Sequence, residues 1–196
     1  MFYIPILTLP DLIFTSPLLA ILVPLTLGWT TSFLAAYLSG GDSKRFKKVP
    51  IQPPDYVFGI VWTILYILMG YASFRAFTTG TAASTSLFLP SDADTLRAEN
   101  ARIGATVYTV QLVINLLYSP LFFWIRSPWA AIVDVVALAG AVVYLAGVWF
   151  EVDFLAGALL LPYLSWLAFA TYVTVETCKV NDWNLSPAAE KGKKSQ

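Results

Sequence analysis

Charged residues are missing from five long stretches of this chain and gather in the gaps between them. The charge-free runs are Leu12–Gly41, Tyr56–Phe74, Ile103–Ile125, Val135–Phe150 and Phe154–Val175. A hydrocarbon core about 30 Å thick is crossed by roughly 20 helical residues rising about 1.5 Å each, so four of the runs can span it as they stand. The run Val135–Phe150 reaches that length when extended back through Asp134 to Pro128. The pattern predicts an all-α fold, an integral membrane bundle of five transmembrane helices over about 12–38, 54–77, 98–125, 128–150 and 153–179. These form one domain over 1–180, followed by a polar C-terminal tail, 181–196, that reads as disordered.

Prolines and polar clusters punctuate the spans. Pro17 and Pro24 lie inside the first helix and predict a kink, because each removes a backbone donor. Pro53 and Pro54 fit the first turn of the second helix. The stretch Thr78–Asn100 is polar and Ser/Thr-rich and reads as the flexible segment. Ser127–Pro128 opens the fourth helix after a short turn, and Glu151–Asp153 is a tight connection to the fifth. The start, MFYIPILTLPDLIF, lacks a basic n-region and reads as the lead-in to a retained first helix. No internal repeat is visible, which weakens an inverted-repeat transporter reading.

Composition agrees with a lipid-embedded chain: 58% of residues are hydrophobic, 12% are charged, and mean hydropathy is +0.69. The single cysteine, Cys178, excludes an intrachain disulfide. Histidine is absent, which excludes His-ligated haem, His-based zinc sites and Ser-His or Cys-His couples, and no metal site is expected. Zero net charge gives no reason to expect nucleic acid as a partner.

Five spans place the termini on opposite sides. One side then carries Lys44, Arg45, Lys47, Lys48, Arg126, Lys179, Lys191, Lys193 and Lys194, and the other only Arg75, Arg97 and Arg102. Nine against three predicts that the loop 39–55 and the C-terminus are cytoplasmic.

Within lipid, polar groups mark the inward faces. Gln111, Asn115 and Ser119 follow one another at i+4 on the third helix, either as interhelical glue or as hydrogen-bonding groups of a cavity. Phe58, Trp62, Tyr66 and Gly70 keep the same spacing on the second helix, as do Pro162, Trp166 and Ala170 on the fifth. Trp62 and Trp166 sit deeper than an interfacial belt requires. Indole faces closed by small residues such as Gly59 and Ala170 would suit a flat, hydrophobic, polycyclic ligand, although aromatic stripes are more often packing. Asp134, about a turn inside the fourth helix, reads either as a functional acid or as a helix-start charge pairing with Arg126.

The segments PPDYVFGIVWTILYILMGYA (Pro53–Ala72), QLVINLLYSPLFF (Gln111–Phe123) and LLLPYLSWLAFATYV (Leu159–Val173) resemble the second-, third- and fifth-helix motifs of the translocator protein family. This family is also called tryptophan-rich sensory proteins or peripheral-type benzodiazepine receptors, and the resemblance covers roughly Leu18–Lys179. It implies a five-helix protein, commonly a homodimer, with an interhelical pocket that binds porphyrins such as protoporphyrin IX or haem, sterol in animals, and synthetic ligands. By motif, Trp62 and Trp166 match pocket tryptophans, while Tyr66, Asn115 and Ala170 match pocket-lining positions. Asp134 matches the acid of the family's fourth helix, and Pro53 and Pro54 match the loop covering the pocket. Gln111 joins this set through the polar stripe, and Tyr118 stands where the third helix usually carries tryptophan. Ile51 and Tyr56 replace tryptophans usual around the proline pair. Lys179 falls one residue too far from Tyr172 for the cholesterol-recognition pattern.

Three functions follow. The first is a membrane receptor or carrier for tetrapyrroles and related hydrophobic ligands. The second is a light-dependent porphyrin-degrading enzyme in which Trp62 reacts, with no resident cofactor. The third is a lipid-binding scaffold. The resemblance places a eukaryotic member in the mitochondrial outer membrane, with endoplasmic reticulum or a bacterial envelope as alternatives.

Overall fold

The computed structural model describes residues 3–39, 47, 49–82 and 91–185. Lys44, Arg45, Lys48, Lys191, Lys193 and Lys194 of the topology argument lie outside them. Among the described residues the helices are α1 (Asp11–Thr15), α2 (Pro17–Leu38), α3 (Asp55–Ala82), α4 (Asp92–Ser119), α5 (Pro128–Val152), α6 (Phe154–Ala158) and α7 (Leu161–Val180). A 3-10 turn, Pro5–Leu7, precedes them, and a π-helical turn, Pro120–Ile125, follows α4. Five helical segments are long and apolar enough to cross a membrane: Pro17–Leu38, Asp55–Ala82, Asp92–Ile125, Pro128–Val152 and Phe154–Val180.

Several expected boundaries shift, each for a local reason. The first helix does not run through Pro17. Ser16 is extended (φ −107°, ψ 117°), as a residue before proline tends to be, and its hydroxyl caps the start of α2 at the Leu19 N–H. The second helix continues to Ala82 rather than ending near Phe77. The stretch Thr78–Asn100, read as flexible, is helical at both its ends. The Ser91 hydroxyl accepts the Asp94 N–H, and the Asp94 carboxylate accepts the Ser91 N–H, a reciprocal capping box that starts α4 at Asp92. The third span widens where Pro120 removes a donor, and it ends at Arg126 in the left-handed conformation (φ 57°). The last span is two helices, broken at Leu159–Leu160 just before Pro162. The tail is not wholly unstructured: Leu185 is buried, and Trp183 stacks on Trp129 at 4.7 Å and 11°.

α4 packs along α5 and α3, α2 lies on α3, and α7 packs against α5. Close approach of α2 and α3 depends on Gly70. A Cβ there would sit 2.3 Å from the Ala20 carbonyl oxygen, the acceptor that Pro24 leaves without its usual helical donor. The glycine hydrogen pointing that way makes a Cα–H···O contact, a recurrent feature where helices touch.

At the end of the bundle away from residues 49–55, Phe14, Phe77, Tyr108 and Trp149 fill the core. Phe14 stacks on Phe77 at 5.3 Å, and Tyr108 stacks on Trp149 at 5.7 Å. The N-terminal segment is strapped over this end. The Ile4 and Leu9 N–H groups donate to the hydroxyls of Thr106 (3.2 Å) and Thr109 (3.0 Å) on α4.

Candidate functional site: an aromatic cavity at one end of the bundle

A cavity of about 380 Å³ opens in the half of the bundle nearest residues 49–55 and the end of α7. Its wall draws on the second half of α2, the first half of α3, the end of α4 with the π-turn, and the last turns of α7. Pockets of this size and mostly apolar lining commonly hold small organic molecules.

Two aromatic residues of α3 shape one wall. Trp62 packs on Tyr66 at 5.6 Å and meets the buried Tyr163 edge-on at 5.9 Å. The Tyr66 ring lies flat against α2 because residue 28 is glycine: a Cβ on Gly28 would sit 2.3 Å from that ring. Trp29 of α2 also lines the cavity, and its indole N–H donates to Thr63 of α3 at 3.2 Å, tying the two helices together.

Polar chemistry enters through a hydrogen-bond relay. The Tyr66 hydroxyl donates to Asn115 Oδ1 (2.7 Å), Asn115 Nδ2 donates to the Tyr163 hydroxyl (2.8 Å), and that hydroxyl donates to Gln111 Oε1 (3.2 Å). The relay fixes the Asn115 amide and leaves its second N–H and the Tyr66 oxygen with spare capacity at the wall. On the facing side the Thr174 hydroxyl donates to the Ala170 carbonyl (2.8 Å). The 2.7 Å contact between Tyr118 and Thr174 must therefore have Tyr118 as its donor. At the mouth stand Lys47, Gln52, Asp55 and Thr177.

The expected site residues thus divide. Trp62, Tyr66, Asn115 and Tyr118 line the cavity, as does Ser119. Gln111 does not: it is fully buried, held by Tyr163 and by Met69 Sδ (3.8 Å), so the helix stripe is glue at one end and cavity wall at the other. Trp166 does not share the hollow with Trp62. Its ring packs edge-on against Phe58 at 5.4 Å, and Phe58 is the residue that reaches the cavity. Ala170 contributes its carbonyl to Thr174 rather than a lining surface. Asp134 is buried on α5 away from the lining, with one carboxylate oxygen lacking a hydrogen-bond partner. Pro53 and Pro54 do not line the cavity, although their neighbours Gln52 and Asp55 do. Among the described residues no cluster of three or more acidic or cysteine side chains could hold a metal ion.

Residues 20–179 match the model of the TspO/MBR family. The chain belongs to that family. It is therefore an integral membrane protein of the translocator and tryptophan-rich sensory type, and the cavity lies wholly within the matched region or its flanks. It is similar to the translocator protein homolog of Schizosaccharomyces pombe, 35% identical over 164 residues that cover 83% of this chain and 90% of that protein. It is also similar to the human translocator protein, 35% identical over 154 residues covering 76% and 82% of the two chains. A tryptophan-rich protein TspO of Chlorobaculum tepidum is 33% identical over 130 residues, 66% of this chain and 73% of its own.

Sequence reasoning missed Gly28, Trp29 and Thr174; Lys47, one of the basic loop residues that the sequence puts at the mouth, does line the cavity. A signal for this face exists in the sequence: Gly28, Ser32 and Ala36 recur at i+4 on α2, a small-residue stripe that allows close approach.

Proposed function

We propose that this TspO/MBR member is a membrane receptor or carrier that takes a tetrapyrrole such as protoporphyrin IX, or a comparably flat hydrophobic molecule, into the cavity. The carrying observation is the wall itself: Trp62 and Phe58 offer ring surface, while Tyr66, Asn115 and Tyr118 supply fixed hydrogen-bonding groups. Area burial at about 25 cal/mol per Å² drives entry of the rings, and the polar groups set orientation. The basic residues on the mouth side support a cytoplasmic mouth. A homodimer, and residence in the mitochondrial outer membrane of a eukaryotic cell, belong to the same proposal and rest on family likeness.

Tryptophan-fluorescence titration of protoporphyrin IX in nanodiscs tests the reading. Because Trp62 lines the cavity and Trp166 stands behind Phe58, Trp62→Ala should weaken binding about tenfold or more, whereas Trp166→Ala should change it by less than about threefold. Equal affinities in wild type and Trp62→Ala would refute the site.

One observation favours photochemistry as a second reading. Trp62 contacts two further oxidisable rings, Tyr66 and Tyr163, so an excited pigment would meet a connected series of electron donors. Illumination in air with bound protoporphyrin, molecular oxygen being the oxidant, should then yield a defined product that Trp62→Phe abolishes without loss of binding.

A further inference from the structure

Asn181–Leu185, read from the sequence as the start of a disordered tail, is ordered against the bundle, and its first residue, Asn181, bonds to two residues of the cavity lining. After α7 the chain turns back through two left-handed residues, Asp182 (φ 55°) and Trp183 (φ 57°), and the Trp183 N–H donates to the Cys178 carbonyl at 2.8 Å. Asn181, the residue that ends α7, reaches Lys47. Asn181 Nδ2 donates to the Lys47 carbonyl (3.1 Å) and to the Thr177 carbonyl (2.8 Å), and Oδ1 accepts the Lys47 N–H (3.1 Å). Both amide hydrogens and the oxygen are engaged. A flipped amide would set oxygen against two carbonyls, so the network admits one orientation. Lys47 is held at its N–H and C=O, as a neighbouring strand would hold it, by a side chain 134 residues away. Lys47 and Thr177 both line the cavity.

We propose that Asn181 is a positioning residue that fixes Lys47 at the mouth, so that the lysine ammonium discriminates flat hydrophobic acids from their neutral esters. The inference rests on the reading that the cavity accepts flat apolar molecules, and it adds how their polar end is recognised. A lysine side chain carries about 2 kcal/mol of rotamer entropy, so an ammonium on an unfixed backbone searches a wide volume and binds an anion weakly. Pinning the backbone at both its N–H and C=O removes the movement of the stem and keeps that search at the cavity lining. Asp55, the other charged side chain on the wall, lies in the first turn of α3, where the positive end of the helix dipole offsets its charge. With both signs present and the mouth open, discrimination is about tenfold.

The probes are 1-pyrenebutanoate and its methyl ester, read by tryptophan-to-pyrene energy transfer in nanodiscs after correction for partition into empty discs. Wild type is expected to bind the acid about tenfold more tightly than the ester. Lys47→Gln and Asn181→Leu should each bring the ratio close to one, with the loss falling mainly on the acid, and the double variant should go no further. Trypsin cleavage after Lys47 in the ligand-free protein should be several-fold faster in Asn181→Leu. A wild-type ratio near one, no binding of either pyrene, an Asn181→Leu protein that keeps the ratio or loses acid and ester alike, or unchanged cleavage overturns the proposal. Failure of protoporphyrin to bind while the pyrene ratio behaves as expected would instead sink the tetrapyrrole reading and leave this one standing.

Discussion

Tyr66 is constrained on two sides, its ring by the bare backbone of Gly28 and its hydroxyl by Asn115. Gly28→Val should therefore push the ring off α2, break the Tyr66–Asn115 bond and lower ligand affinity together with thermal stability in detergent. Hydrogen bonds between membrane helices contribute only about 0.6 kcal/mol on average and up to about 1.7 kcal/mol, so Tyr66→Phe alone should cost about 1 kcal/mol. Asn115→Leu should cost more, because it strips Tyr66 of its acceptor and Tyr163 of its donor in one change; melting curves of both variants would rank them. Residues such as Trp62, Tyr66 and Asn115 were legible in the sequence because helical spacing and polarity alone put them on inward faces. Trp166 was misplaced for the same reason: a stripe reports a face, not which neighbour stands in front of it, and Phe58 stands there. The link between Asn181 and Lys47 left no local trace, since it joins backbone and side chain across 134 residues.

At the level of helices, prolines decide where the chain breaks. Pro17, Pro120 and Pro162 each coincide with an interruption that the hydropathy pattern could not show, because the flanking residues are as apolar as the helices themselves. Pro24 differs, sitting within a continuous α2 and leaving the Ala20 carbonyl to face Gly70. Gly70→Val must drive α2 from α3 against backbone rather than a yielding side chain, and a loss of about 3 kcal/mol or more is expected by chemical or thermal unfolding. Gly140→Ala and Gly147→Ala are the matched controls: nothing lies within 4 Å of the added methyl, so both should be neutral or slightly stabilising.

Across the whole molecule, the end opposite the cavity is closed by an ion pair as well as by rings. Arg75 on α3 reaches Asp153, between α5 and α6, with Nη2 and Oδ2 at 2.6 Å, and the Asp153 carboxylate also accepts the Ala156 N–H at 2.8 Å. The hydrogen bond from the Arg75 guanidinium, followed by the bond from Ala156, holds the Asp153 carboxyl below the usual carboxylate range. A depressed folded-state value means that the pair stabilises the fold above the unfolded carboxylate pKa of about 3.9 and loses this contribution as pH falls through the lower folded value. Stability from this source should be flat from neutral pH to about 5 and fall in stronger acid, and Asp153→Asn should remove that part of the acid dependence in pH-scanned melts. At this end Phe14 meets Tyr108 edge-on at 5.8 Å, and Tyr108 stacks on Trp149 at 5.7 Å, all three rings buried. If the cavity takes the proposed guest past Trp62 and Lys47, that guest enters from the end opposite these packed rings. Loading and unloading at a single face is then the expected behaviour, and vesicles containing this chain alone should exchange a bound pigment without net flux between compartments; measured flux would refute it.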